Sequence, residues 1–233
     1  MKKRTKKAVH SKRYLELASK VDKKKTYSVA EAVALIKETA KTKFDSSIEV
    51  HVRLGIDTQK GEQAVRGMAA LPHGTGKTKK VAVFMRNDKI AKEAGADIVG
   101  AEDLIKEIKT TEKINFDIAL ATPDMMKDLA AIAKVLGPKG LMPAPKSGTV
   151  VAEAEIAKAI EEIKKGKVNF RNDDSGNIHQ IIGKASWEDD KLQENIKVFI
   201  EALQKAKPVA VKGTFVENIF LTSTMGPAVK IAV

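Results

Sequence analysis

Residues 47–56 read Ser-Ile-Glu-Val-His-Val-Arg-Leu-Gly-Ile, and this alternation constrains the fold more than any other stretch of the chain. Ile48, Val50, Val52, Leu54 and Ile56 fall on one side of an extended backbone, and Glu49, His51, Arg53 and Gly55 on the other. Such a segment is a strand in a sheet with one buried face and one polar face. The polar face holds a carboxylate, an imidazole and a guanidinium, a set shared by solvated faces and ligand-contacting faces. Upstream, Ser28 and Glu31 have capping-box spacing, and Ala32, Val33, Ile36 and Ala40 follow on one helical face.

Residues 57–80 are rich in loop formers, and beyond them the texture changes. Strand-like runs at Val81–Met85, 97–100 and Phe116–Ala121 alternate with helical patterns at 90–94, 101–109 and 125–136. Alternation of this kind predicts a parallel sheet covered by helices. Residues 137–148 (Gly-Pro-Lys-Gly-Leu-Met-Pro-Ala-Pro-Lys-Ser-Gly) carry too much proline and glycine to continue any element. An amphipathic helix is predicted over 153–165, with Gly166 as its C-cap. Residues 168–171 and 178–182 then read as a hairpin joined by the turn-forming run 172–177. Trp187 precedes an acidic helix start. Leu192, Ile196, Phe199, Ile200 and Leu203 form one face of that helix, and Lys205, Lys207 and Pro208 end it. A last strand is predicted over 214–221, then the turn Thr222-Ser-Thr-Met-Gly-Pro227. The middle is therefore α/β and the flanks α+β. The pattern alone does not decide whether the flanks form one domain.

Charge is distributed unevenly. Residues 1–25 hold eleven Lys/Arg against Glu16 and Asp22, a net +9 out of +12 for the chain. A basic arm on a near-neutral body suits a polyanionic partner, with the arm collecting phosphates and the body supplying specificity. A solubilising tail is the competing reading. Cysteine is absent, which excludes disulfides and thiolate-bound metals. The N-terminal stretch has no apolar core of a signal peptide, and no segment reaches the roughly 20 apolar residues of a membrane span. The cytoplasm is the expected compartment. Aromatic residues make up only 4%, which argues against a base-stacking platform for single strands.

No catalytic constellation emerges. Gly74-Thr-Gly-Lys-Thr78 resembles the end of a phosphate-binding P-loop, but that motif requires glycine where Leu71 stands. It also requires a preceding strand and a following helix, so a flexible interdomain loop is the better reading. His10, His51, His73 and His179 lack metal-ligand spacing. Asp173-Asp174 and Asp189-Asp190 suit a turn and a helix start. There is no Gly-x-Ser-x-Gly elbow, and the first strand–helix turn of the middle, Arg86-Asn-Asp-Lys89, is no dinucleotide fingerprint. What remains are Gly-, Ser-, Thr- and Lys-rich loops beside strands, which can approach an RNA backbone closely. The turn at 222–227 fits this description, and an ordinary turn with a packed Met225 is its alternative.

Several motifs carry a family resemblance. They are residues 44–57 (Phe-Asp-Ser-Ser-Ile-Glu-Val-His-Val-Arg-Leu-Gly-Ile-Asp), Val65-Arg-Gly67, Leu71-Pro-His-Gly-Thr-Gly-Lys77 and Leu136-Gly-Pro-Lys-Gly-Leu-Met-Pro143. Gly166-Lys-Val-Asn-Phe-Arg171, Ile178-His179, Ile182-Gly-Lys184 and Ser223-Thr-Met-Gly-Pro227 continue them in order along nearly the whole chain. Together they resemble the family of bacterial large-subunit ribosomal protein one, the protein of the mobile stalk. The resemblance implies a non-enzymatic constituent of the ribosome with no cofactor or metal. It implies two domains, a discontinuous split β-α-β rRNA-binding domain over 1–67 plus 159–233, and an inserted Rossmann-like α/β domain over 68–158. Its implied partners are large-subunit rRNA, exit-site tRNA and its own operon mRNA, whose translation it represses. It has no membrane partner and is a monomer within the ribosome. Carried over residue by residue, the RNA surface comprises Phe44, Ser47, Glu49, Arg53, Arg171, His179, Thr224, Met225 and Gly226. Arg53 and Arg171 are expected on phosphates, and Thr224 and Gly226 on sugar or base edges. Met225 is expected to pack on ribose or base, and Glu49 to accept from a 2′-hydroxyl or fix a basic side chain.

Two rival classes are a nucleotide hydrolase using Gly74–Thr78 and a free RNA chaperone. The broken spacing at Leu71 argues against the first. The purified protein is expected to show no saturable ATP or GTP binding that disappears on Lys77→Ala, as isothermal calorimetry would measure.

Overall fold

The computed structural model describes residues 10–232. The first nine residues, which carry five of the eleven Lys/Arg of the basic arm, and Val233 lie outside the described residues. In chain order the helices are α1 (Lys12–Ser19), α2 (Val29–Thr39), α3 (Asp88–Glu93), α4 (Glu102–Thr111), α5 (Met126–Leu129), α6 (Ala133–Leu136), α7 (Ile156–Lys165) and α8 (Asp189–Lys205). The strands are β1 (Ser47–Leu54), β2 (Arg66–Ala70), β3 (Val81–Phe84), β4 (Ile98–Gly100), β5 (Ile118–Ala121), β6 (Lys167–Arg171), β7 (Asn177–Lys184), β8 (Val216–Ser223) and β9 (Val229–Ile231).

The fold is mixed α/β with several sheets, and the chain divides into two compact units. One comprises residues up to 64 together with 172–197 and 208–233; the other comprises 65–171 and 198–207. These boundaries assign 159–171 and 198–207 to the same unit as the middle of the chain, whereas the sequence reading groups them with the flanks.

The first unit is built on a four-stranded sheet in the order β7-β1-β8-β9, and every adjacent pair is antiparallel. The alternation of β1 is realised as read: Ile48, Val50, Val52 and Leu54 are buried, while Glu49, His51 and Arg53 are not. The buried face is completed by Ile178, Ile182, Ile219, Leu221, Val229 and Ile231. Helix α2 covers β8 and β9. Its start is the predicted capping box, with Ser28 Oγ accepting from the Glu31 N–H and the Glu31 carboxylate accepting from the Ser28 N–H. The buried Asn195 of α8 donates to the Ile182 carbonyl at 2.8 Å, tying that helix to β7. Helix α1 lies within the basic arm. Leu17 and Val21 are buried, so this part of the basic arm is folded onto the body.

The second unit holds the parallel sheet β4-β3-β5 and the antiparallel ribbon β2-β6. Alternate residues of the parallel strands enter two separate cores. Ala82, Phe84, Ala119 and Ala121 pack with α4 and the 125–136 segment, and Val81, Val83, Ile118 and Leu120 pack with α3 and α7. Both faces are therefore apolar, as a helix-covered parallel sheet requires.

Three local expectations need correction. The predicted helix over 125–136 is broken into α5, α6 and intervening 3-10 turns. The predicted hairpin of 168–171 and 178–182 does not form, because β6 pairs with β2 and β7 pairs with β1. Strand β2 lies in the stretch read as loop; Arg-Gly-Met-Ala-Ala has weak strand propensity and is extended only because β6 pairs with it. The Gly74–Thr78 run follows β2 and precedes β3, with no helix after it. It is not a slack linker, since Gly74 and Thr75 are buried.

Gly166 caps α7 with φ +118°, and a Cβ there would overlap the Gly74 Cα and come within 3.0 Å of the Leu71 carbonyl oxygen. Both obstacles are backbone, so no side-chain rotation relieves them. Gly166→Ala is expected to destabilise the protein by about 2–4 kcal/mol in urea unfolding.

Candidate nucleic-acid interface

The end of β1 and the turn after β8 are joined through backbone. Ser47 O accepts from the Thr224 N–H at 2.9 Å and from the Thr224 hydroxyl at 3.3 Å, and the Ser47 N–H donates to Thr224 Oγ1 at 3.1 Å. This joint holds two loops side by side. One presents Phe44, which is 56% exposed, and the other presents Met225, which is 68% exposed. Large apolar side chains are normally withdrawn from water, and here two stand out on adjoining loops.

Each loop is braced from behind. The Thr42 hydroxyl donates to the Phe44 carbonyl at 2.6 Å and pairs with the Ser46 hydroxyl at 2.7 Å. Asp45 accepts from the Ser186 N–H and hydroxyl, and the Lys184 ammonium donates to Ser47 Oγ at 3.1 Å. Arg13 of α1 donates to the Lys41 carbonyl at 2.7 Å and the Met225 carbonyl at 3.2 Å. Met225 itself lies in the left-handed region at φ +65°, a conformation that costs a non-glycine residue about 1 kcal/mol or more. Gly226 has a local reason to be glycine. Its N–H donates to the Ser223 carbonyl at 2.8 Å, and a Cβ would overlap the buried Ser223 hydroxyl.

The uncovered face of the sheet continues from this corner. Glu49 is flanked by Ile181 and Thr222, His51 by His179 and Phe220, and Arg53 by Asn177 and Asn218. The Nδ1 atoms of His51 and His179 are 2.7 Å apart, so one ring donates to the other. Glu49 stands 3.7 Å from His51 Nε2, and Asp173 stands 3.4 Å from His179 Nε2. Burial pushes the His51 pKa down, the neighbouring His179 adds to the effect, and Glu49 opposes it.

The structure therefore brings Phe44, Ser47, Thr224, Met225 and Gly226 into one corner, with Glu49 next along β1. His179 lies on the same open face, farther along. Arg53 is six residues from Ser47, about 20 Å along the strand. It is also engaged, donating to the Ser175 carbonyl and standing 3.6 Å from Glu217. Arg171 belongs to the other unit, at the end of β6. The Thr224 hydroxyl is already bonded to Ser47 backbone, and Met225 is not packed into an ordinary turn. Sequence reasoning passed over Arg13 and Lys184, which brace the corner. Arg13 is 212 residues from the carbonyl it holds, and no local pattern reports such a contact.

Among the described residues, no cluster of His, Asp and Glu suits a metal, and no helix is long and apolar enough to cross a membrane. The corner is made of two loops held side by side at the end of β1 and β8, beside the open face of the sheet. The family model described as "Ribosomal protein L1p/L10e family" matches residues 36–227. The chain is 52% identical over 222 residues to the large ribosomal subunit protein uL1 of Mycoplasma capricolum, covering 95% of this chain and 97% of that one. It is 49% identical over 224 residues to the uL1 of Chloroflexus aggregans and 50% identical over 224 residues to that of Fervidobacterium nodosum, in each case covering 95% of this chain and 94% of the relative. The chain belongs to the ribosomal protein L1p/L10e family, whose members are structural and non-enzymatic.

The histidine pair implies a pH dependence. With the folded-state pKa of His51 held below its ordinary 6.5, the neutral ring is favoured by folding. That contribution is complete above about pH 6.5 and is lost as pH falls through the folded-state value. Melting temperature is expected to fall between pH 7.5 and 5, and His51→Gln is expected to shrink the fall. An equal fall in the variant would assign the effect to carboxylates.

Proposed function

We propose that this protein, a constituent of the large ribosomal subunit in the cytoplasm, binds rRNA directly through the Phe44–Ser47 and Thr224–Gly226 corner. In that role it forms the mobile stalk near the tRNA exit site, assists release of deacylated tRNA, and represses its own operon by binding the message. The relatives' name, large ribosomal subunit protein uL1, supports the subunit. The observation that carries the RNA site is Met225, an exposed apolar side chain kept in a left-handed conformation on a turn bonded at both ends. Strained, exposed and braced residues are characteristic of contact sites.

In this reading Phe44 and Met225 pack on ribose or base, while Lys184, Arg13 and the N-terminal arm supply positive charge. Thr224 acts chiefly by holding the corner; its hydroxyl retains one lone pair for a 2′-hydroxyl. Arg53, His179 and Glu49 extend the surface along the open sheet face; Arg171, in the second unit, is a phosphate contact of its own. The proposed RNA-binding domain is the split β-α-β part, 1–67 with 159–233, and 68–158 is its Rossmann-like insertion. The parallel sheet with helices on both faces supports the latter description.

Met225→Gly separates contact from stability. Glycine accepts φ +65° without strain, so unfolding free energy is expected to hold or rise by up to about 1 kcal/mol. Affinity for an rRNA stalk fragment, measured by filter binding, is expected to fall by about 1–2 kcal/mol, roughly fivefold to thirtyfold. Unchanged affinity, or an equal loss for unrelated RNA, would remove this turn from the specific site.

A further inference from the structure

The second unit contains a cleft that the corner described above leaves unused. Its volume is about 460 Å³, and it lies between the β2–β6 ribbon, the start of β5 and the loop that follows α6. A volume of that order falls in the usual range for ligand pockets, about 300–1,000 Å³. Arg66, Lys79, Lys139 and Arg171 line it, against the single carboxylate of Asp117.

The arrangement of these cations is unfavourable without a partner. Arg66 and Arg171 are direct cross-strand neighbours on β2 and β6, where like charges repel. Among the described residues, the side chains of Arg66, Lys139 and Arg171 have no ion pair or hydrogen bond. Asp117 supplies a single negative charge against the four cations, and its Oδ2 also accepts from the Lys80 N–H at 2.9 Å. Lys79 is partly buried, and that burial pushes its pKa down while Asp117 only partly opposes the shift. The Arg171 guanidinium is seated against Gly140, where a Cβ would come within 3.3–3.4 Å of three guanidinium atoms. Gly140 has φ +70°, so both the backbone and the space favour glycine.

We propose that this cleft is a phosphate-binding site, with Arg66 and Arg171 as a pair of guanidinium forks and Lys79 and Lys139 as flanking point charges. Two guanidinium groups match the spread oxygens of a phosphate in two-pronged fashion, and an ammonium set back in the wall meets the remaining charge. Gly137 and Gly140 line the same rim, and the absence of a Cβ at 140 leaves room for the Arg171 guanidinium. The same chemistry is offered by inorganic phosphate and by a phosphodiester of bound RNA. The RNA source rests on the function proposed above; the site itself does not.

The test compares the full chain with Arg66→Gln/Lys139→Gln, and with Lys139→Gln alone, an exposed loop change that leaves the ribbon intact. Melting temperature is measured in inorganic phosphate and in chloride at equal ionic strength. Affinity for an rRNA stalk fragment is measured across a salt series, with Met225→Gly in parallel. A phosphate-specific rise in melting temperature that the double variant loses establishes the site. A salt slope shallower by about 0.7–0.9 for each contact removed identifies RNA as a source of the phosphate. Loss of the thermal effect with unchanged RNA binding assigns the site to free phosphate. If the wild type shows the thermal effect and binds no RNA, the function proposed above fails and the cleft stands. No phosphate-specific rise together with identical salt slopes in all cleft variants overturns the inference.

Discussion

Strand β1 is hydrogen-bonded on both sides, to β7 and to β8, and the first unit depends on its register. Side chains alternate with period two, so a slip of one residue would send Ile48, Val50, Val52 and Leu54 into water and Glu49, His51 and Arg53 into the core. The buried row carries no polar side chain and tolerates only one arrangement. The same register places Ser47 opposite the end of β8, within reach of Thr224. Core and candidate site are thus consequences of one pairing.

This dependence explains why the corner is well defined although it is made of loops. The backbone of Ser47, the carbonyls of Lys41, Phe44 and Met225, and the hydroxyls of Thr42, Ser46 and Thr224 are all bonded within the protein. What is left to face outward is apolar: Phe44 and Met225. A surface prepared this way loses little conformational freedom on binding, which favours affinity without adding contacts. Positive charge stands beside it on Arg13 and Lys184, both hydrogen-bonded to the corner itself.

Much of the secondary structure is legible in the residues. The capping box at Ser28 and Glu31, the alternation of β1 and the glycine stop after α7 are local signals, and each is realised where it was read. The two failures among the strands share a cause. Residues 168–171 and 178–182 flank a good turn, so they read as a hairpin, yet each found a partner far away in sequence. Residues 66–70 have no strand signal of their own and are extended by pairing with β6. Strand pairing is a property of two segments, and a single segment does not report it. The 125–136 segment keeps its helical stripe, since Met125, Leu129, Ile132 and Leu136 all reach one core, although its backbone is divided between short helices and 3-10 turns.

For the site, the chain by itself determined which motifs occur, their order and their family, because these are matters of residue identity and spacing. It also determined that Glu49, His51 and Arg53 share a face, since that follows from period two alone. Only the tertiary structure decided which candidates stand together. It gathered Phe44, Ser47, Thr224, Met225 and Gly226, engaged Arg53 with Ser175 and Glu217, and placed Arg171 in the second unit. It also revealed Arg13 as a brace and gave the Thr224 hydroxyl to Ser47. The reason is physical: a polar side chain within reach of a backbone donor or acceptor bonds to it, and that reach is set by strand register across more than 170 residues rather than by neighbours in sequence.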